Sequence, residues 1–164
     1  MIFNLKISGK RILFVGGGNI AERKIKKLIE ESPKISVIAP EVTDFIKNMG
    51  TEGRVEIIER EIRNDDLTGN FFMVICATDR PEVNEKISNI CRNLGILHDD
   101  ISNHENSDIM MAATTVVGDL AISISTNGND PSAAKRLKND LENDLISNNL
   151  NFEKYIKMIY NKKI

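Results

Sequence analysis

The residues best suited to chemistry lie in a glycine-rich run near the amino terminus. Residues 16–21 read G-G-G-N-I-A, which fits the pattern G-x-G-x-x-A between an apolar strand-like run and a helical pattern. In that setting Gly16 permits a tight turn, Gly18 lets the backbone approach a pyrophosphate, and Ala21 lets the helix lie close to the strand. The N–H groups at the start of the helix face the anion. The run therefore predicts a dinucleotide site, and the alternative is a tight strand-to-helix turn that binds nothing.

The choice of dinucleotide depends on the residues after the second strand. An acidic residue about 20 positions beyond the glycine turn usually binds the ribose hydroxyls of NAD. Glu41 lies somewhat later than that and fits two interpretations, a ribose contact or the first turn of a helix that begins at Pro40. Because no arginine occupies this turn to pair with a 2′-phosphate, the sequence favours NAD over NADP.

Strand and helix patterns alternate around this turn. Short runs of β-branched and aromatic residues predict strands at Arg11–Val15, Ile35–Ala39, Val55–Glu59, Phe71–Ala77 and Ile96–Ile101. Apolar residues at helical spacing predict helices over 19–31 and 81–94, with Pro81 in the first turn and Gly95 after the last. This alternation predicts an α/β fold, a Rossmann-type doubly wound parallel sheet.

The pattern changes after residue 107. Two strand-like runs joined at Gly118-Asp119 predict a small β-hairpin. Asp130 and Pro131 can then cap and begin a helix. We expect residues 1–107 to form an NAD-binding domain and 108–164 a helical dimerisation region. The second part is too small to bury its own apolar faces, so it predicts a homodimer.

Composition excludes several classes of protein. The 164 residues carry a net charge of −2, which gives no basic surface for nucleic acid. No apolar run is long enough to cross a membrane, so we expect a cytoplasmic protein. Cys76 and Cys91 lack metal-site spacing and are predicted to be two buried thiols.

Several segments together resemble the precorrin-2 dehydrogenase family, the sirohaem-synthase module that oxidises precorrin-2 to sirohydrochlorin with NAD. The segments are "LKISGKRILFVGGGNIAERKIKKL", "SVIAPE", "GRVEIIEREI", "DLTGNFFMVICATDRPEVNEKI" and "GDLAISISTNGNDPSAAKRLK". Their order and spacing follow the family over nearly the whole chain. The chain resembles the stand-alone form of the enzyme, with a tetrapyrrole substrate in the sirohaem pathway.

The resemblance implies cofactor contacts at the ends of three strands. Carried onto this chain, they are Gly16, Gly18, Asn19, Ile20, Pro40, Glu41, Ala77, Thr78 and Asp79. The carboxyl ends of parallel strands are also where such sheets bind ligands.

The resemblance also implies substrate contacts in the second part of the chain. They are Ser125, Thr126, Asn127 and Gly128, which match a family loop of the form S-T-G-G or S-S-G-G, and Lys135, which matches a basic position. A substrate with several carboxylates needs such cations. The alternatives are a hairpin-to-helix turn that needs Asn-Gly for positive φ, and a solvated helix face.

The chain departs from the family at the residue implied to be catalytic. Members have N-V-V-D-D-P, with the first Asp proposed as the catalytic residue, whereas this chain has "DDISNH" and Ser102 at that place. A serine cannot replace a carboxylate as a proton acceptor. Asp100 shares a face with Ser102 on an extended strand, and Asp99 lies one residue earlier. We therefore predict that Asp100 and Ser102 are the catalytic residues.

Two other functions fit the same residues. Some family members insert iron or cobalt into sirohydrochlorin, for which the candidate ligands or bases are His98, Asp99, Asp100 and His104. A non-catalytic homologue that binds NAD or a tetrapyrrole is the third hypothesis. For the dehydrogenase itself no metal is expected.

Overall fold

The computed structural model describes residues 2–68, 70–118 and 120–147. The chain consists of two compact units, Phe3–Met110 and a unit that begins at Met111. The domains predicted from the sequence, 1–107 and 108–164, stay a prediction.

The first unit contains a five-stranded parallel sheet. Its strands are β1 Arg11–Gly17, β2 Lys34–Val42, β3 Val55–Ile58, β4 Met73–Cys76 and β5 Leu97–Asp100. They are arranged in the order β3-β2-β1-β4-β5. This is the strand order of the doubly wound fold, so the predicted α/β Rossmann-type architecture is confirmed.

Apolar cores cover both faces of this sheet. Alternate residues of β1 point to opposite faces, so Ile12 and Phe14 join one core and Leu13 and Val15 the other. All four side chains are at most 1% exposed. Full burial of a side chain of this kind contributes ~1.5–3 kcal/mol, which makes β1 the centre of the unit.

Three helices flank the sheet: α1 Asn19–Leu28, α2 Asp44–Thr51 and α3 Pro81–Leu94. Short 3₁₀ turns lie at Ile29–Glu31, Asn64–Thr68 and His104–Asn106. The α3 helix begins with Pro81 and ends at Gly95 in the left-handed conformation (φ +68°), as predicted. The first predicted helix is three residues shorter than expected because its last turn is 3₁₀.

The structure contradicts one of the two interpretations of Glu41 given above. Pro40 and Glu41 belong to β2, which continues until Val42 lies beside Gly17. The next helix begins only at Asp44, with Thr43 as its N-cap. The interpretation of a helix that begins at Pro40 is therefore wrong, because pairing with β1 holds this segment extended.

The second unit contains an antiparallel hairpin and a helix. Its strands are β6 Ala113–Val117 and β7 Leu120–Ile124, and its helix is α4 Pro131–Ile146. Asp130 caps α4, since its Oδ1 accepts a hydrogen bond from the Ala133 N–H at 2.8 Å. Residues 148–164 of the predicted dimerisation region lie outside the described residues. Within the described residues, no helix has both the length and the apolar character needed to span a membrane.

Both cysteines are buried free thiols, as predicted. Burial raises the pKa of the Cys76 thiol to about 12 and that of the Cys91 thiol to about 11.

Candidate dinucleotide site and active site

The glycine turn is crowded at two of its positions. Gly16 has φ +104°, and a Cβ on it would lie 2.4 Å from the carbonyl oxygen of Ala77 at the end of β4. A Cβ on Gly17 would lie 2.6 Å from Cγ1 of Val42 and 2.7 Å from the carbonyl oxygen of Glu41. These two glycines let β1 lie close to the ends of its two neighbours. The need for Gly17 was missed, because the G-x-G-x-x-A pattern allows any residue there.

Gly18 is different, since a Cβ on it would have no protein atom within 4 Å apart from its two chain neighbours. It is the N-cap of α1 and provides no side-chain hydrogen bond to the helix. The first N–H groups of a helix have no partner within it, so open space in front of them suits a phosphate. The predicted neighbours Asn19 and Ile20 are exposed here. This geometry fits the pyrophosphate of a dinucleotide.

The predicted contacts after β2 and β4 lie at the same edge of the sheet. The Thr43 N–H donates to the Gly17 carbonyl oxygen at 3.0 Å, which ties the end of β2 to the glycine turn. Pro40 and Glu41, just before it, are exposed. Exposure leaves the Glu41 carboxylate available to a ribose.

The loop after β4 is held by a residue that the sequence did not reveal. Asn84, near the start of α3, is fully buried. Its Oδ1 accepts from the N–H of Thr78 at 3.2 Å and from Thr78 Oγ1 at 2.6 Å. Its Nδ2 donates to the Thr78 carbonyl oxygen at 3.1 Å and to Ser102 Oγ at 3.3 Å. In the sequence, Asn84 could have been noticed because it lies at helical spacing from the apolar Ile87.

Asn84 therefore joins two loops. Its side chain can make four hydrogen bonds, and all four are used. One loop carries Ala77, Thr78 and Asp79, the predicted cofactor contacts, and the other follows β5. Of these three residues Ala77 is buried and Asp79 is exposed.

The predicted catalytic pair is in direct contact. Asp100 is 2% exposed, and its Oδ1 accepts hydrogen bonds from Ser102 Oγ at 2.5 Å and from the Ser102 N–H at 2.9 Å. The Asn103 N–H donates to the same oxygen at 3.3 Å, and Asn106 Nδ2 donates to Oδ2 at 3.1 Å. Ser102 itself is exposed. The buried carboxylate thus lies directly behind an exposed hydroxyl.

Asp99 faces the other side of the sheet. Its Oδ2 lies 2.6 Å from Nζ of Lys24 on α1, with side chains only 7% and 15% exposed. A carboxylate held in this ion pair does not share the surroundings of Asp100.

The residues considered for metal chelation are not brought together. His98 is fully buried, with Nε2 2.7 Å from the Asn106 carbonyl oxygen. Its Nδ1 lies 2.7 Å from Asp108 Oδ2 without the geometry of a hydrogen bond. His104 is exposed on a 3₁₀ turn. Across the described residues, no three His, Cys, Asp or Glu side chains are grouped to hold a metal ion.

The predicted substrate loop of the second unit is a tight turn. Asn127 and Gly128 both have positive φ, +52° and +82°. Ser125 Oγ accepts from the Asn127 N–H at 3.1 Å, and Thr126 Oγ1 accepts from the Asp130 N–H at 3.0 Å. The turn interpretation is therefore correct, and substrate binding by the same residues stays a prediction. Lys135, on α4, is exposed.

Comparison with known proteins places this chain among dinucleotide-binding proteins and precorrin-2 dehydrogenases. Residues 3–113 match the family model described as "Putative NAD(P)-binding". A precorrin-2 dehydrogenase of Priestia megaterium is 31% identical over 140 residues, which are 85% of this chain and 68% of that protein. The Bacillus subtilis precorrin-2 dehydrogenase is 30% identical over 139 residues, 85% of each chain.

The chain belongs to the precorrin-2 dehydrogenase family. A solved structure titled "SirC, precorrin-2 dehydrogenase" superposes with a TM-score of 0.71 and 28% identity, over 98% of this chain and 77% of that one. Siroheme synthase 3 of Aeromonas hydrophila is 30% identical over 137 residues, but they are only 29% of that longer protein. As a member of the precorrin-2 dehydrogenase family the chain is an oxidoreductase, and its cofactor is NAD, as predicted. The roles of individual site residues stay predictions.

Proposed function

We propose that this chain oxidises precorrin-2 to sirohydrochlorin with NAD. The observation that carries the proposal is the arrangement of one sheet edge. There the open helix start at Gly18 follows β1, and the pair of Asp100 and Ser102 lies at the end of β5 in the same parallel sheet. Cofactor and acid–base groups at one edge are what a dehydrogenase of this fold needs.

NAD, when bound, would accept a hydride from a macrocycle carbon. The protein then has to position the reactants and remove one proton from the ring system. We assign the pyrophosphate to the N–H groups after Gly18, the ribose to Glu41, and the loop of Thr78 and Asp79 to the remainder of the cofactor. Asp100 is the proton acceptor, because its carboxylate lies on the last residue of β5, at this edge.

Substrate binding is assigned to the second unit. Ser125, Thr126, Asn127 and Gly128 present hydroxyl and amide groups, and Lys135 is an exposed cation suited to a substrate carboxylate. Because the chain is acidic overall, these local groups have to provide the attraction for an anionic substrate.

The chain is proposed to act as a homodimer formed through residues 108–164. Large apolar side chains of this segment are exposed, with Val116 at 64%, Leu120 at 50% and Ile146 at 69%. Such surfaces in a small unit commonly belong to an interface. A cytoplasmic location remains a prediction from the sequence.

The test is a turnover assay with precorrin-2 and NAD under exclusion of oxygen. We expect NADH and sirohydrochlorin to appear together, at equal amounts, in proportion to the protein added. Binding of NAD by calorimetry without NADH formation would instead support a non-catalytic homologue. Insertion of iron or cobalt into sirohydrochlorin without NAD would support the chelatase.

A further inference from the structure

The carboxylate of Asp100 is enclosed by donors of its own chain. Its two oxygens accept the N–H groups of Ser102 and Asn103, the hydroxyl of Ser102, and the amide of Asn106. With 2% of the residue exposed, little of the carboxylate remains for direct contact with a bulky macrocycle. Among these groups, the hydroxyl of Ser102 both belongs to an exposed residue and carries a proton that it can transfer.

The direction of the Ser102 hydroxyl is fixed by Asn84. The backbone N–H of Thr78 can only donate, so the atom of Asn84 that faces it at 3.2 Å has to be Oδ1. The other terminal atom, Nδ2, then faces Ser102 Oγ at 3.3 Å. Because Nδ2 is a donor, Ser102 accepts from it, and the hydroxyl hydrogen is left to point at Asp100.

We infer that Ser102 is a proton relay between the substrate and Asp100. This inference rests on the proposed function. As the macrocycle gives up its proton, the O–H bond of Ser102 breaks and its own proton passes to Asp100 Oδ1, while bound NAD would accept the accompanying hydride. A new O–H bond forms between Ser102 Oγ and the proton lost from the macrocycle. The serine ends as it began, and one proton is on Asp100, which later releases it to water.

The short contact makes this relay feasible. At 2.5 Å from Oγ to Oδ1, the hydroxyl and the carboxylate already share a strong charge-assisted hydrogen bond. Because one proton leaves the hydroxyl as the other arrives, the serine never has to exist as an alkoxide. General-base assistance is typically worth about 10²–10⁴ in rate, which is the contribution assigned to this pair.

Four variants test the relay in the turnover assay. Ser102→Ala and Asp100→Asn should each lower kcat by about 10²-fold or more, and the double variant should be no slower than the worse single one. NAD affinity by calorimetry should not change. Ser102→Asp places a carboxylate on the exposed residue itself, so adding it to Asp100→Asn should restore at least tenfold of the lost turnover. A purely structural role of Asp100 would not be rescued in this way.

Ser107→Ala is the matched control in the same loop. Its hydroxyl contacts the backbone of Asp100, at 2.8 Å from the N–H and 3.3 Å from the carbonyl oxygen, and does not contact the carboxylate. We expect its kcat to stay within about threefold of wild type, well below the relay effect. Unchanged kcat in Ser102→Ala, or an equal loss in Ser107→Ala, would overturn the relay while the dehydrogenase proposal stands. A wild-type protein that forms no NADH would overturn both.

Discussion

Gly16, Gly17 and Gly18 are consecutive, but the structure requires glycine only at the first two, and for different reasons. Gly16 combines positive φ with a close approach to the carbonyl of Ala77, the residue after β4, and Gly17 lies against the end of β2. Neither reason involves a ligand. Gly18 has space around it and matters only if something negative approaches the start of α1.

Because of this difference, a substitution at Gly18 should affect cofactor binding and leave folding unchanged. Gly18→Asp should abolish NAD binding, because it puts a side chain and a negative charge where we propose that the pyrophosphate binds. The fold should survive, since no protein atom lies near the new Cβ. Calorimetry measures the first effect and thermal unfolding the second. Unchanged NAD affinity would remove the assignment of the glycine turn.

Gly16→Ala should, in contrast to Gly18→Asp, destabilise the fold. The left-handed backbone costs an alanine roughly 1–2 kcal/mol, and contact with the Ala77 carbonyl at 2.4 Å adds to it. We expect the free energy of unfolding in urea to fall by about 2 kcal/mol or more. A variant as stable as wild type would show that β1 and β4 can separate at this point.

The two thiols provide a pH-dependent prediction. Burial raises their pKa values to about 12 and about 11, against about 8.5 for a free thiol. Native protein at pH 8 should therefore react with a thiol reagent far more slowly than unfolded protein, in which both cysteines react. Because the unfolded chain ionises first, stability should also decrease as pH rises from about 8.5 towards 11. Rapid labelling of the native protein would contradict the buried placement.

At the scale of elements, β5 carries acidic side chains towards both faces of the sheet. Asp99 pairs with Lys24 of α1, and Asp100 contacts Ser102 on the side of α3. Strand alternation made the shared face of Asp100 and Ser102 predictable from the sequence. The partners Lys24 and Asn84 were not predictable, because they are separated by 75 and 18 residues from the groups they contact.

The ion pair between α1 and β5 should be strongly coupled. Lys24→Gln leaves the Asp99 carboxylate buried without a counter-charge, and we expect a loss of about 3 kcal/mol in urea unfolding. Adding Asp99→Asn removes that charge and should recover much of the loss. If the double variant were as unstable as the sum of the two single variants, the pair would not be coupled.

Helix α2 shows what limited prediction of the elements. Its eight residues are too few for a clear apolar period, and it contains Gly50, which is unfavourable in a helix interior. The glycine lies close to β3, since a Cβ there would lie 2.5 Å from Cδ1 of Ile57, the mobile end of that side chain. Long helices with a regular apolar period were predictable from the sequence, whereas the short α2 was not.

At the scale of the whole molecule, the second unit has apolar side chains that its own elements leave exposed. Val116 and Leu120 lie on the two strands of the hairpin, near the turn that joins them. Among the described residues of this unit, the elements are this hairpin and α4, and they leave both side chains exposed.

The proposed homodimer predicts a mass near twice 18.4 kDa by light scattering at micromolar concentration. The double variant Val116→Asp, Leu120→Asp should shift this mass to that of a monomer, because the charges would be buried in the interface. Leu94→Asp is the matched control, since Leu94 is 53% exposed in the first unit. A wild-type monomer would refute the dimer.

The contact between Asn84 and Thr78 has a consequence for isotope exchange. Thr78 lies in a loop, yet its amide proton is held by a side chain that has to leave the interior before the proton can exchange. An amide that needs such an opening exchanges more slowly than a loop amide open to water. In deuterated water the Thr78 amide signal should therefore outlast those of other loops. The exchange rate of this one amide, measured by NMR without substrate or cofactor, would then report whether the contact between Asn84 and Thr78 is intact.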